Sequence, residues 1–498
     1  MTAISTQPDD IEKTTSDTPI ASMVIRGRVI ESNLIRIEGR GGDLTFLTPD
    51  VRQVLGSLPL KDPAALKDLY RLTLDDILDY LVSLGEHLRV ENNAHLQQAR
   101  ALSYMTAPTT PPLIDHTYER LPAFFERDRL FELAEQAIGV EYLEGWVPRG
   151  LLSGATANIR CFGARAVHIV AGNNPIISVM TIVRNALLRS DAIIKAPSND
   201  PFTALAVART MVDMDATHPV TKHLSVAYWK GGDGEIEAEL YKPANVEKVV
   251  AWGGLASVKH ITQYVQPGLE LISLDPKRSV SIIGVQAFAD DETMREVAVR
   301  LATDIGAVNQ QGCVNARVVY VMSGTDAAGV GRANLFGQLV YDAMLQLPTR
   351  TSTKPKRYDR SLRESVDSVR MQDDWYHVVG GRDDEGAIIV SQLPEPVPFA
   401  LELTDRTANI VPVDTIDEIV GAVNAWTQTV GVYPEELKTS LRDVLPLYGA
   451  QRLVSLGYAA ASAGSNAGRQ DAIEPMRRMG KWIVDEAADP ELVPPLWQ

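Results

Sequence analysis

Between residues 166 and about 267, short apolar runs and longer helically spaced runs take turns along the chain. Residues 167–171, 192–194, 224–229 and 249–252 are mainly apolar and too short for helices, whereas 176–188 and 202–214 repeat their apolar positions three and four apart. This alternation is the pattern of successive βαβ units, so a parallel sheet is predicted there. Ahead of it, Leu74, Ile77, Leu78, Leu81, Leu84 and Leu88 share one helical face, with Thr73 and Asp76 spaced as a capping box and Gly85 weakening the last turn. Mostly helical structure is expected to continue to about Gly139. Two alternating runs within 23–46 flank Gly39, Gly41 and Gly42, which predicts a hairpin or small sheet. Residues 1–20 are rich in Thr, Ser, Asp and Pro and are expected to form a disordered tail.

Length sharpens this picture, because 498 residues exceed a single ordinary domain several times and imply two or three cores. The 45% apolar and 22% charged content is that of a globular protein. With 48 Lys plus Arg against 64 Asp plus Glu, the net charge of -16 gives no electrostatic reason to bind nucleic acid. Only two cysteines, Cys161 and Cys313, are present, which excludes a disulfide framework and suits a reducing compartment, with the cytoplasm expected. The first 20 residues lack the basic start and apolar core of a secretory signal. The longest uncharged stretch, 169–183, is interrupted by Asn173, Asn174 and Pro175 and is too short for a membrane span, so it reads as a buried strand and helix.

Four turn-rich segments fall at the carboxyl ends of the predicted strands, where parallel sheets bind ligands. They are Gly172-Asn173-Asn174-Pro175, Lys195-Ala196-Pro197-Ser198, Trp229-Lys230-Gly231-Gly232 and Trp252-Gly253-Gly254, and together they outline a cleft. The glycine fingerprint GxGxxG of an ordinary dinucleotide fold is missing after the first of these strands. Cys313 lies in Asn309-Gln310-Gln311-Gly312-Cys313-Val314-Asn315-Ala316-Arg317, a polar glycine turn leading into the apolar run 318–322. Such a turn suits a nucleophilic thiolate, although composition alone favours reading Cys313 as a small buried hydrophobe, the reading that is kept for Cys161. His218 and His223 stand five apart without a carboxylate or thiolate cluster, so no catalytic metal is predicted. The basic run Lys354-Pro355-Lys356-Arg357 with Arg360 reads as a solvated loop before a phosphate contact.

In order and approximate spacing, the segments at 172–175, 194–198 and 252–254 and the Cys313 loop resemble the aldehyde dehydrogenase superfamily. More closely, the chain resembles the long-chain acyl-CoA reductases that supply aldehyde to bacterial luciferase. That closer likeness is carried by His168-Ile169-Val170-Ala171-Gly172-Asn173, Asn199-Asp200-Pro201-Phe202-Thr203, Val250-Ala251-Trp252-Gly253-Gly254 and the segment 471–482, over about 166–482.

The resemblance implies an α/β fold of the aldehyde dehydrogenase kind. A parallel-sheet cofactor domain with the N-terminal region would span 21–273 and an α/β catalytic domain 274–445. Residues 446–498 would return to the cofactor domain and form a small oligomerisation element, and the protein would be a homo-oligomer. Cys313 would be the nucleophile, with the Asn173 amide and the Cys313 backbone N–H as the oxyanion hole. Lys195 would bind the adenosine ribose. Ser198 stands where many relatives carry a glutamate that would repel a 2′-phosphate, so NADPH is expected, with NADH as the alternative. Gly253 and Gly254 would open the helix under the pyrophosphate, and Glu402 would meet the nicotinamide ribose. At Ser273-Leu274-Asp275-Pro276-Lys277 the glutamate that activates water in hydrolytic relatives is replaced by Ser273, with Glu270 and Asp275 as substitutes to consider. Coenzyme A then becomes the leaving group of an acyl-CoA or acyl-protein thioester that is reduced to aldehyde. An acyl-activating ligase is a candidate partner; oxidation of an aldehyde and an inactive scaffold are the rival readings.

Overall fold

The computed structural model describes residues 18–39, 44–152, 154–274, 277–460, 474–487, 491 and 496–497. The expected disordered tail therefore lies outside the described residues up to 17, and the chain is engaged from Pro19, whose carbonyl accepts from the Leu47 N–H.

The strands are β1 (Met23–Ile25), β2 (Arg28–Ile30), β3 (Leu34–Glu38), β4 (Thr45–Pro49), β5 (Val147–Gly150), β6 (Thr156–Phe162), β7 (Arg165–Ile169), β8 (Asp191–Lys195), β9 (Leu224–Ala227), β10 (Lys248–Trp252) and β11 (Glu270–Leu274) in the first half. Strands β7 to β11 form the parallel body of one sheet in the order β11-β10-β7-β8-β9, and the hairpin β1-β2 closes its edge antiparallel to β9. Every residue of β7, β8, β9 and β10 is buried, as expected for a parallel sheet covered by helices on both faces. The N-terminal runs thus make two hairpins, one of them part of the large sheet. Arg26 and Gly27 both take left-handed conformations (φ 50 and 77), which lets so tight a turn follow the strand twist. The Arg26 guanidinium, paired with buried Asp191 and donating to the Leu58 carbonyl at 3.0 Å, pins that hairpin to β8. The ribbon β3-β4 has Gly39 at its mouth, while Gly41 and Gly42 lie outside the described residues.

The helix Leu74–His87 carries the predicted capping box at Thr73 and Asp76 and buries Leu74, Ile77, Leu78, Leu81 and Leu84. With the helices Ala94–Thr106, Pro111–Glu119 and Arg127–Ala137 it shares one core with the helices Ile176–Leu187 and Thr203–Asp215 on the first sheet.

The second half holds β12 (Arg278–Ile283), β13 (Ala316–Val321), β14 (Tyr376–Gly380), β15 (Ala387–Ser391), β16 (Thr407–Pro412), β17 (Thr427–Tyr433), β18 (Arg452–Ser455) and β19 (Lys481–Ala487). A second sheet runs β14-β15-β16-β13-β12-β17-β18, parallel except for the β14-β15 pair. Strand β18 adds to β17 in parallel, so this sheet extends past the catalytic boundary expected at 445, to Ser455. Beyond it β19 returns and pairs with β6 along its whole length, completing a three-stranded antiparallel sheet β19-β6-β5. No helix among the described residues is long and apolar enough to cross a membrane.

Candidate active site

The helix Asp291–Gly306 ends in an unusual stretch, in which Val308, Asn309 and Gln310 all have positive φ (51, 53 and 62). Such conformations cost about 1–3 kcal/mol each in residues other than glycine, so neighbouring structure must hold them. Here side chains and a partner segment do so. The Val308 N–H donates to the Thr351 carbonyl at 2.7 Å, and Asn309 Oδ1 accepts from the Thr353 N–H at 2.8 Å. The buried Gln310 amide donates to the Ala316 and Thr407 carbonyls and accepts from the Thr407 N–H, at 2.8, 3.0 and 2.9 Å. Asn315 Oδ1 accepts from the Gly312 N–H at 3.0 Å, and Ser279 Oγ donates to the Cys313 carbonyl at 2.7 Å. The result is a braced loop that presents Cys313, half-buried and outside any disulfide, just before β13.

Arg317 lies beneath this loop and is buried. Its Nε donates to the Leu403 carbonyl at 2.9 Å, and its Nη atoms donate to the carbonyls of Asn315, Gly312 and Gln310 at 2.9–3.3 Å. Burial, then repulsion from Arg278, pushes its guanidinium down to about 10. The half-buried Arg278 donates through Nε and Nη2 to the Leu401 carbonyl at 3.0 and 2.6 Å and is likewise held below its ordinary value by burial. Exposed Glu402 therefore sits on a turn whose flanking carbonyls are gripped by two arginines.

From the other domain, the loop after β7 brings Asn173. Its Nδ2 donates to the Gln311 carbonyl at 2.8 Å, two residues before the sulfur, while Oδ1 is buried without a partner. An amide nitrogen carries two hydrogens, so one donor remains for a ligand. Gly172 makes this packing feasible: a Cβ there would come within 2.1 Å of the Asn199 side chain, which presses the 197–199 turn against the Asn173 loop. Asn174 caps the following helix, its Oδ1 accepting from the Ile176 N–H at 3.0 Å.

Lys195 ends β8 with its ammonium buried near the rings of Tyr228 and Trp229, at 5.9 and 5.6 Å from their centroids. Burial pulls it down to about 8, opposed by Glu237, and no ion pair to it occurs among the described residues. A buried cation of this kind calls for an anionic ligand. The Trp229 and Trp252 indole nitrogens at the same sheet end are also buried without partners. Ser198 is half-buried in the turn after Lys195, and Gly254 caps the helix Leu255–Thr262 with open space beside its Cα. The chemistry of these groups fits a nicotinamide dinucleotide, which Lys195, Ser198, Gly253 and Gly254 could hold.

A family model described as "Acyl-CoA reductase (LuxC)" matches residues 69–482. This chain belongs to the LuxC acyl-CoA reductase family. The LuxC-family relatives include the long-chain acyl-protein thioester reductase of Aliivibrio fischeri, 28% identical with 84% of each chain covered, and that of Photorhabdus luminescens, 27% identical with 93% of each covered. Among solved structures, lactaldehyde dehydrogenase from Escherichia coli superposes with a TM-score of 0.69 at 15% identity, over 94% of this chain and 100% of that one. An aldehyde dehydrogenase of Mycobacterium tuberculosis complexed with NAD+ does so with 0.69 at 14%, over 94% and 98%. The fold is thus that of the aldehyde dehydrogenases.

In this LuxC-family chain, Ser273 stands near the carboxyl end of β11, and Asp275 lies outside the described residues. Glu270 is not a substitute base. It starts β11, at the opposite end of the sheet from the cleft, and it is bound to Lys248 at 2.7 Å and Arg478 at 3.0 Å. Although burial opposes them, those cations hold it below the usual carboxylate range. The two histidines have structural work: His223 bridges Asp68 and Asp191, and His218 caps a short helix. Lys356 caps the carbonyls of Tyr104 and Met105 at 2.7 and 3.1 Å. Cys161 is buried on β6, where burial pushes its thiol up to about 11. Sequence reasoning missed Arg278 and Arg317. A charged residue opening an apolar strand run was a signal for Arg317, but Arg278 had none beyond its place after Lys277.

Proposed function

We propose that this chain reduces a long-chain acyl thioester, carried by coenzyme A or by a protein, to an aldehyde through a thioester on Cys313. The observation that carries this reading is the Asn173 hydrogen bond to Gln311, which sets a second amide donor from one domain beside the Cys313 loop of the other. The Cys313 sulfur attacks the acyl carbonyl, and the Asn173 amide donates to the oxygen that becomes negative. As the carbonyl re-forms, the thiolate of the donor leaves and the acyl group stays on Cys313. A reduced nicotinamide, held by Lys195 and Ser198 at its adenosine end and by Gly253 and Gly254 at its pyrophosphate, would supply hydride to that carbonyl carbon. The Cys313 sulfur is then expelled as thiolate when the carbon–sulfur bond breaks, releasing the aldehyde. Ser273 in place of a carboxylate leaves water without an activator, which favours exchange between thiols over hydrolysis. Exposed Leu401 and Trp426 beside Arg278 give the mouth an apolar side suited to an acyl chain.

The names of the relatives, long-chain acyl-protein thioester reductase, support an acyl-protein donor and hence an acyl-activating ligase as partner. The outer edge of β19, with Trp482, Ile483 and Val484 partly exposed, suits pairing with a second copy. Incubation with a long-chain acyl-CoA and NADPH is expected to consume the reduced cofactor with release of free CoA and aldehyde. Consumption of NADP+ with an aldehyde, and none with the acyl thioester, would favour the oxidative direction instead.

We infer NADPH as the preferred cofactor from Ser198 beside buried Lys195. Ser198→Glu should lower kcat/KM for NADPH about tenfold or more while sparing NADH, since a carboxylate would face the 2′-phosphate. An unchanged ratio of the two kcat/KM values would count against this placement.

A further inference from the structure

Arg317 donates to the carbonyls of the Cys313 loop and Arg278 adjoins Ser279, which donates to the Cys313 carbonyl; among the described residues no carboxylate pairs with either guanidinium. Arg317 is buried and Arg278 half-buried; burial lowers both, and repulsion from Arg278 lowers Arg317 further. Among the described residues every hydrogen bond they donate from their side chains goes to a backbone carbonyl, and none of the ion pairs involves them. A carbonyl satisfies the N–H groups but leaves the net charge uncompensated, and two such charges in a poorly solvated place repel. The ionisable group that both feel with an opposite sign is the Cys313 sulfur. Asp405 also attracts Arg317, although less than Cys313 does; its own oxygens accept from the Gln311 amide at 3.1 Å and the Asp359 N–H at 3.2 Å. Glu402, the other acid on this face, is exposed.

We propose that Arg278 and Arg317 form a clamp that grips the carbonyls on both sides of Glu402, holds that turn against the Cys313 loop, and keeps the Cys313 sulfur anionic at neutral pH. The clamp replaces activation by a general base: no proton has to be taken from the thiol in each turnover, because the sulfur enters and leaves the cycle as thiolate. Arg278 and Arg317 are positioning residues here, acting through Cys313. This rests on Cys313 as nucleophile, yet its test does not require turnover.

The measurement is the rate of iodoacetamide alkylation of Cys313, read by peptide mass spectrometry between about pH 6.5 and 10 on the full-length protein. Asp405, which burial pushes up to about 6, stays charged over most of that range. Removing a cation disfavours the thiolate, so Arg278→Gln should raise the inflection by about 1 pH unit or more, while Arg278→Lys, which keeps the charge, should leave it within a few tenths. A purely structural role would scale the rate at every pH without moving the inflection. An unmoved inflection in Arg278→Gln, or equal rises in both variants, would overturn the clamp. If Arg278→Gln does not fold, the wild-type inflection decides: well below the ordinary thiol value of about 8.5 supports the clamp, and at or above it overturns the clamp. A displaced inflection together with full reductase activity in Cys313→Ala would instead sink the nucleophile reading alone.

Discussion

Cys313→Ala should abolish reduction of acyl thioesters, lowering the rate on the order of 10⁴-fold or more, while the protein stays folded. The size of the effect follows from chemistry without a substitute: once the sulfur is gone there is no covalent acyl intermediate, and Cys161 cannot stand in for it. That second thiol is buried on β6, paired in register with Trp482 and pushed up to about 11. The loop itself should survive, because its strained residues are held by the hydrogen bonds of Asn309, Gln310, Asn315 and Arg317 to the backbone. Two measurements are needed. Intact-mass analysis after mixing with acyl-CoA without cofactor should show an acyl adduct on the wild type and none on the variant. Retained aldehyde formation in the variant would end the covalent mechanism.

Asn173→Ala should lower kcat by about 10²–10³ with a much smaller change in KM, the usual effect of losing one donor to an oxyanion. Asn173 also links the two domains through the Gln311 carbonyl, so a stability loss of about 1 kcal/mol should accompany the kinetic one. The two effects can be separated by following acylation of Cys313 in a single turnover at a temperature well below unfolding. A slow acylation step at full thermal stability would still support the oxyanion role. A normal acylation rate with lowered stability would reduce Asn173 to a domain fastener.

Much of the architecture was legible because parallel strands buried on both faces leave an unmistakable pattern of short apolar runs separated by helical ones. The expected runs at 192–194 and 318–322 became β8 and β13 with shifts of a residue or two at their ends. The helix at Leu74 was readable down to its capping box, since capping depends on residues three apart. What could not be read were pairings set by distance in sequence. Strand β18 shows only a short half-buried run, and its place beside β17 depends on the sheet already present. The hairpin β1-β2 likewise joins the first sheet through its pairing with β9 and through Arg26 meeting Asp191, both remote in sequence.

The same division runs through the candidate site. By itself the sequence singled out the candidate groups and the order of the loops that bear them: Asn173, Lys195, Ser198, Gly253, Gly254 and Cys313 all stand at strand ends or in the turns next to them. The tertiary structure decided which groups are charged, buried and paired. It withdrew Glu270 into ion pairs at the far end of β11 and set Glu402 between two gripped carbonyls. It also set Arg317 on the carbonyls of the Cys313 loop and Arg278 on the Leu401 carbonyl, next to Ser279, which holds the Cys313 carbonyl. The physical reason is range: backbone propensity acts over a few residues, whereas the field at a sulfur atom is the sum over whatever the fold brings near it.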